Sequence, residues 1–333
     1  MPSLDIAAKP LISGSRLERV LRSGQFAVTA EIGPPPGCDP SVVVTKGDLL
    51  RSYADALNIT DNQTAVVRLS SIAAAVLLMQ RGIEPVMQMT CRDRNRIAIQ
   101  SDVLGAASFG IRNCLCIAGD HQSFGAAGKL KGHPGAKNVY DVDSIQLVAM
   151  LKKMRDEGLL EGGDAIEHGG PRLFIGAAWT PVKEVGDIRV LRLAKKVAAG
   201  ADFIQTQGVY DIEEFKGIMS RARDRGLHTR TCILAGVIVP KSAGMLRYMQ
   251  SSVAGVKVPD ALIQRMAGVK KDKAREEGKK ISVELIQQLR EIEGVSGVHI
   301  QAIEWEEAVP DIVKAAGLFP RPEVEAAVPS REP

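Results

Sequence analysis

The chain is 333 residues long, 45% apolar and 25% charged, a composition that can bury a large core and excludes wholesale disorder. Its formal charge of +4 comes from 43 basic and 39 acidic residues scattered without a basic, aromatic-interleaved stripe, so nucleic acid is a poor partner. Five cysteines without a CxxC pair, a longest apolar run of only 72–79 and no basic-then-apolar leader argue against a disulfide framework, a zinc or iron-sulfur set and a membrane span, and make the cytoplasm the expected compartment.

In chain order, residues 1–24 read as an N-terminal extension with a helix. Short apolar or β-branched runs then recur at 26–32, 56–60, 84–90, 113–119, 173–179, 202–207, 231–239 and 297–303. Helical composition fills the intervals at 70–81, 94–109, 142–157, 188–199 and 212–225, and Gly82, Gly110, Gly200 and Gly226 stand where a left-handed C-cap would release the chain into the next strand. Eight such alternations predict an α/β fold, a single (β/α)8 TIM barrel over 25–320, where a doubly wound sheet would use fewer strands. Residues 321–333 read as a flexible tail. Two connections are long: 121–141 after strand four, Gly-rich and suited to a lid or cofactor cover, and 241–294 after strand seven, which adds helices with a solvated charged face at 270–280.

Barrel chemistry sits where the strands end. Glu31 lies in an apolar strand before Gly33-Pro34-Pro35, where partial desolvation would suit a general acid and a salt-bridged structural carboxylate is an equal reading. Asp120 follows Gly119 at a strand tip and serves either as a helix cap or as a counter-charge to a cationic ring. Residues 91–96 put Arg92, Arg94 and Arg96 around Asp93, an expected N-cap. That is a phosphate-binding helix start or an ordinary charged first turn. Thr60 and Thr90 supply hydroxyls at the same level. GxGxxG, GxxxxGK[ST], GxSxG and HExxH are all missing, and the five histidines lack metal-ligand spacing, so no metal is expected.

Taken together the strand ends resemble the methylenetetrahydrofolate reductase family over residues 25–320. The resemblance is carried by Thr29-Ala30-Glu31-Ile32-Gly33-Pro34-Pro35, Asn58-Ile59-Thr60-Asp61-Asn62, Met89-Thr90-Cys91-Arg92-Asp93-Arg94-Asn95-Arg96, Ala118-Gly119-Asp120 and Gly200-Ala201-Asp202-Phe203-Ile204-Gln205-Thr206-Gln207. It implies that Glu31 is the general acid, that Asp120 stabilises an iminium cation beside the flavin, and that Gln207 contacts the pterin. It implies that Thr60, Gln88, Gly119 and Lys196 hold the flavin, with Tyr140 and Asp143 beside an adenosine half. Thr90, Arg92 and His121 complete the expected cofactor set. The implied reaction passes a hydride from N5 of reduced FAD, or FMN, to methylenetetrahydrofolate, giving 5-methyltetrahydrofolate. A homo-oligomer or hetero-complex is expected.

Three departures from the family pattern bear on the electron source. Ala118 replaces an arginine, Gln88 a histidine, and Gly208-Val209 aromatic residues. The loss of an aromatic platform points to an electron-transfer partner protein rather than NADH or NADPH as direct donor, with Tyr210 or the loop after strand four as rival platforms. Two other functions compete: a pterin-binding methyltransferase without redox chemistry, disfavoured by the acid on strand one, and a non-catalytic subunit of a one-carbon complex, disfavoured by Glu31, Asp120 and Gln207 occurring together.

Overall fold

The computed structural model describes residues 10–123, 132–182 and 187–324. Part of the 121–141 loop and most of the 321–333 tail lie outside the described residues, as do the first nine residues. Eight parallel strands close into a barrel in sequence order: β1 Ala27–Ile32, β2 Ala56–Ile59, β3 Pro85–Thr90, β4 Asn113–Ile117, β5 Phe174–Trp179, β6 Phe203–Gly208, β7 Cys232–Ile238 and β8 Val295–Gln301. Every expected strand is present. The helices are α1 Arg16–Arg22, α2 Ser41–Leu50, α3 Ser71–Met79, α4 Arg96–Ser108, α5 Ser144–Asp156, α6 Ile188–Ala199, α7 Ile212–Asp224, α8 Ala243–Ser252, α9 Asp260–Ala267, α10 Ala274–Arg290 and α11 Ala308–Ala315.

Strand residues are buried on both faces, which is why the strands read as continuous apolar runs. The outer faces pack on the helices. The inner faces meet in a separate cluster of Ala27, Ala56, Val86, Leu115, Phe174, Phe203, Cys232 and Leu234, closed from below by Leu17, Val20 and Leu21 of α1. Phe174 and Phe203 stack at 5.1 Å there. Gly176 makes this possible, because a β-carbon on it would stand 2.2 Å from the Phe203 ring. Residues 16–22 are thus the plug of the barrel, not an extension from it.

The glycine C-caps behave as expected: Gly82, Gly110, Gly200 and Gly226 have φ of 68°, 86°, 113° and 65°. One helix-to-strand connection is not tight, since α5 ends at Asp156 and β5 begins at Phe174, with a single antiparallel bridge, Leu159 to Ala165, between them. Helix α2 has no counterpart among the sequence-predicted helices because Ser41–Leu50 is rich in β-branched residues. Gly47 earns its place by letting that helix lie against Leu78 and Ile83.

Past α11 the chain is tied down. Arg321 donates to Asp55 at 2.6 Å, to Phe26 O at 2.7 Å and to Leu318 O at 2.8 Å. Asp55 is fully buried, accepts the Val28 amide at 2.8 Å, and also meets Arg16. The packed unit therefore continues beyond residue 320, with Arg321 as a latch across the barrel floor. Removing one partner strands the other charge in the interior. We predict that Arg321→Met lowers the unfolding free energy by about 3 to 5 kcal/mol in urea titrations, while a loss below about 1 kcal/mol, as for an exposed pair, would show that water reaches Asp55.

Candidate active site

Strand residues alternate in and out with a period of two, so each inner chain of side chains can be followed upward from the apolar floor. Above Ala27 come Thr29 and Glu31; above Ala56, Asn58 and Thr60; above Val86, Gln88 and Thr90; above Phe203, Gln205 and Gln207; above Gly297, His299 and Gln301. The floor is apolar, the middle layer polar and buried, and the top layer polar at the mouth.

The middle layer is a hydrogen-bonded unit. Asn58 Nδ2 donates to Gln205 Oε1 at 2.6 Å, and Gln205 Nε2 donates back to Asn58 Oδ1 at 3.0 Å and to Thr29 Oγ1 at 3.2 Å. Thr29 Oγ1 lies 3.0 Å from His299 Nδ1. On the other side of that ring, Nε2 is 3.7 Å from Glu31 Oε2, with Gln301 Nε2 at 3.5 Å from the same oxygen. Glu31, whose side chain is 11% exposed, therefore stands at the mouth over a buried imidazole. Among the described residues, the group that faces Glu31 as a charge partner is His299 rather than an arginine or lysine. The roles of His299, Asn58 and Gln205 were not evident in the sequence, although stepping back two residues from Glu31, Thr60, Gln207 and Gln301 reaches all four members of the layer.

Three strand ends converge around Gly119. Its φ of 89° is a left-handed turn, and a β-carbon there would meet Arg92 Cβ at 3.0 Å and Thr90 Cβ at 3.1 Å. Asp120 is half-buried. Its Oδ2 accepts the Thr64 amide at 3.0 Å, so the carboxylate ties the loop after β2 rather than capping an α-helix. Thr90 donates through both N and Oγ1 to Asp61. Tyr140 is exposed and donates its hydroxyl to Gly119 O at 3.1 Å, while Asp143 caps α5 in a full capping box with Gln146. His121 is exposed and accepts the Ser123 amide.

The arginine cluster is internally satisfied. Arg92, 3% exposed, donates to Asp93, Asp120 O and Asn62 O. Arg94 pairs with Asp61 and Asp102, and Arg96 with Asp141. The N-cap of α4 is Asn95, whose side chain accepts from Ala98 N, not Asp93. Asp93 is drawn away to Arg92. The trio therefore braces the loops after β2, β3 and β4 instead of presenting bare guanidinium groups.

Two buried polar groups carry a cost here. Thr60 Oγ1 is buried without a hydrogen-bond partner among the described residues, a cost of about 1 to 3 kcal/mol unless something fills it. Lys196 on α6 is 7% exposed and donates to Ala178 O. Desolvation, helped by Arg192, pulls its ammonium down to about 8. Gln207 is half-buried, and its Oε1 accepts Gly208 N. Tyr210 offers no platform: it is 3% exposed with its hydroxyl on Ile238 O.

The fold is a (β/α)8 barrel that carries a polar layer at its strand C-termini. Residues 16–317 match the sequence profile described as methylenetetrahydrofolate reductase, and the chain belongs to that family. It is 26% identical over 239 residues to methylenetetrahydrofolate reductase 1 of Schizosaccharomyces pombe, covering 71% of this chain and 36% of that one. It is 21% identical over 260 residues to a probable methylenetetrahydrofolate reductase (NADPH) of Caenorhabditis elegans, covering 78% and 36%. The chain thus spans little more than a third of the length of these relatives. In fold it is similar, with a TM-score of 0.60 and 16% identity, to an uncharacterized Clostridium thermocellum protein described as binding two copies of 5-methyl-5,6,7,8-tetrahydrofolic acid, covering 91% of this chain and 100% of that one.

Lys196 yields a test. Its folded pKa of about 8 lies below that of an unfolded lysine, so between about 8 and 10.4 the unfolded chain binds more protons and stability rises with pH. Below about 8 the full penalty, on the order of 3 kcal/mol, is present. We expect Lys196→Met to be the more stable protein at pH 7, with wild type closing the gap as pH rises toward 10. A gap that is flat with pH would mean that Lys196 is solvated.

Proposed function

We propose that the chain binds a flavin, FAD or FMN, and methylenetetrahydrofolate over the strand-end layer, and reduces the folate's one-carbon unit to the methyl level. The observation that carries this is Glu31, a nearly buried carboxylate at the mouth faced by His299 and Gln301. The residues suit a flavin: Thr60 Oγ1 is a buried donor without a partner among the described residues, Gly119 leaves a bare backbone surface between Thr90 and Arg92, and Lys196 is a desolvated cation whose cost an anionic group would offset.

A reduced flavin supplies a hydride when bound. Glu31 gives its proton to a nitrogen of the folate five-membered ring as the ring C–N bond opens, and the electron pair of that bond stays on the nitrogen. The carbon is left as a methylene iminium cation, ready to accept hydride. Asp120, fixed by Thr64 N and backed by Arg92, holds negative charge toward that cation. Gln207 offers Nε2 to the pterin edge. Thr90 and Arg92 act from beneath, by setting the loops that carry Asp120.

The strand-six end bears on the electron source. A β-carbon on Gly208 would stand 2.5 Å from Ile238 Cδ1, so no larger side chain fits there without displacing Ile238, and Tyr210 is enclosed. Nicotinamide stacking, worth about 1 to 3 kcal/mol at aromatic sites, has no aromatic from this segment. That favours delivery by a partner protein. Mixed anaerobically with NADH or NADPH, the flavin-loaded protein should bleach at about 450 nm more slowly than it turns over with its partner, and fast bleaching with either nucleotide alone would defeat the idea.

The reaction itself is tested by Glu31→Gln, which keeps shape and removes the transferable proton. The purified wild type should carry about one flavin per chain, and the variant should keep it while folate reduction falls at least roughly 100-fold. A folded, colourless protein that gains no absorbance with FAD or FMN, or a variant of near-normal turnover, would overturn the assignment.

A further inference from the structure

We infer that Asn58 and Gln205 are positioning residues for Glu31: their amide pair, acting through Thr29, holds His299 as the tautomer with its proton on Nε2, aimed at the acid. This rests on the reading of Glu31 as the proton donor. The argument is one of hydrogen-bond direction. Gln205 Nε2 is a donor only, so Thr29 Oγ1 accepts from it at 3.2 Å and is left to donate its own hydrogen. Two acceptors lie in reach, Val298 O at 3.5 Å and His299 Nδ1 at 3.0 Å, and the shorter contact wins.

With Nδ1 accepting, the neutral ring must carry its hydrogen on Nε2, which faces Glu31 Oε2 at 3.7 Å. The distance is longer than a direct hydrogen bond, so the two groups face one another without being bonded in this structure. Asn58 completes the device. Its Nδ2 holds Gln205 Oε1 at 2.6 Å, and its Oδ1 takes the other Gln205 hydrogen at 3.0 Å, so the Gln205 amide cannot turn its oxygen toward Thr29 unless Asn58 turns as well. All four residues are at most 3% exposed, and no bulk water reaches them to scramble the chain. The sense of the relay is written on β2, the neighbour of the strand that carries the acid, and on β6, across the barrel from β2.

Gln205→Glu reverses it with almost no change of shape. The atom facing Thr29 becomes an acceptor whether the new carboxyl is ionised or gives its proton to Asn58 Oδ1. Thr29 then donates to residue 205 and accepts from His299, whose hydrogen moves to Nδ1. In spectra of the full chain labelled with ¹⁵N-histidine, with His299 assigned by its loss in His299→Asn, the wild type should show the Nε2–H form and Gln205→Glu the Nδ1–H form. Folate reduction should fall at least about tenfold, with flavin content unchanged. As a milder second variant, Thr29→Val cuts the relay below the ring and should give a mixture of tautomers. An Nδ1–H ring in the wild type, an unchanged ring in Gln205→Glu, or a reversed ring with wild-type turnover each overturns the proposal. Because the ring is read without turnover, a Glu31→Gln enzyme that stays active would remove the acid assignment and leave the tautomer result standing.

Discussion

Everything at the mouth depends on closing the barrel by pairing its first strand with its last. β1 and β8 meet in parallel register, Ala27 against Gly297 and Thr29 against His299. The approach is close: a β-carbon at position 297 would stand 2.5 Å from Ala27 O. Glycine there allows the seam to form, and the seam places the imidazole of one end of the sequence beside the hydroxyl of the other. Because side chains alternate, setting the seam by one pair sets every inner layer above it.

The layers divide the work. Apolar side chains below, including the stacked Phe174 and Phe203, supply burial, and the polar layer above them is tolerable only because nearly every group in it has a partner. A broken bond in such a unit costs more than its formation contributes, since the orphaned group stays buried. Among the described residues, Thr60 Oγ1 departs from this rule, and it does so at the rim of the layer. Bracing comes from outside the layer, where Arg92, Arg94 and their carboxylates lock three loops to one another.

The architecture was legible because parallel barrel strands are buried on both faces and so appear as short unbroken apolar runs, punctuated by glycines at helix ends. Helix α2 escaped because Val42, Val43 and Val44 favour strand, and its packing against α3 and β1 overrides that preference. At the site, residues next to turns were visible: Glu31, Asp120 and Gln207 announce themselves by a carboxylate or amide at the end of an apolar run. The pairing of Asn58 with Gln205, 147 positions apart, was not, because it depends on which strands face one another across the barrel. Tyr210, an aromatic in a favourable place by sequence, was misleading for the same reason: the pattern gave its address and not its direction.

The latch at Arg321 also bears on how the chain is made. Asp55 is buried beneath β1, and its strongest partner is synthesised 266 residues later. On the ribosome the first strands emerge with this carboxylate unmatched, except for Arg16 at 3.3 Å. A half-barrel could therefore gather early, as N-terminal segments tend to do during translation, yet would bury Asp55 only at a penalty until the last turn of the chain arrives. The final residues of the packed unit thus complete the charge pairing at the floor, and a chain that stopped short of them would leave Asp55 with Arg16 alone.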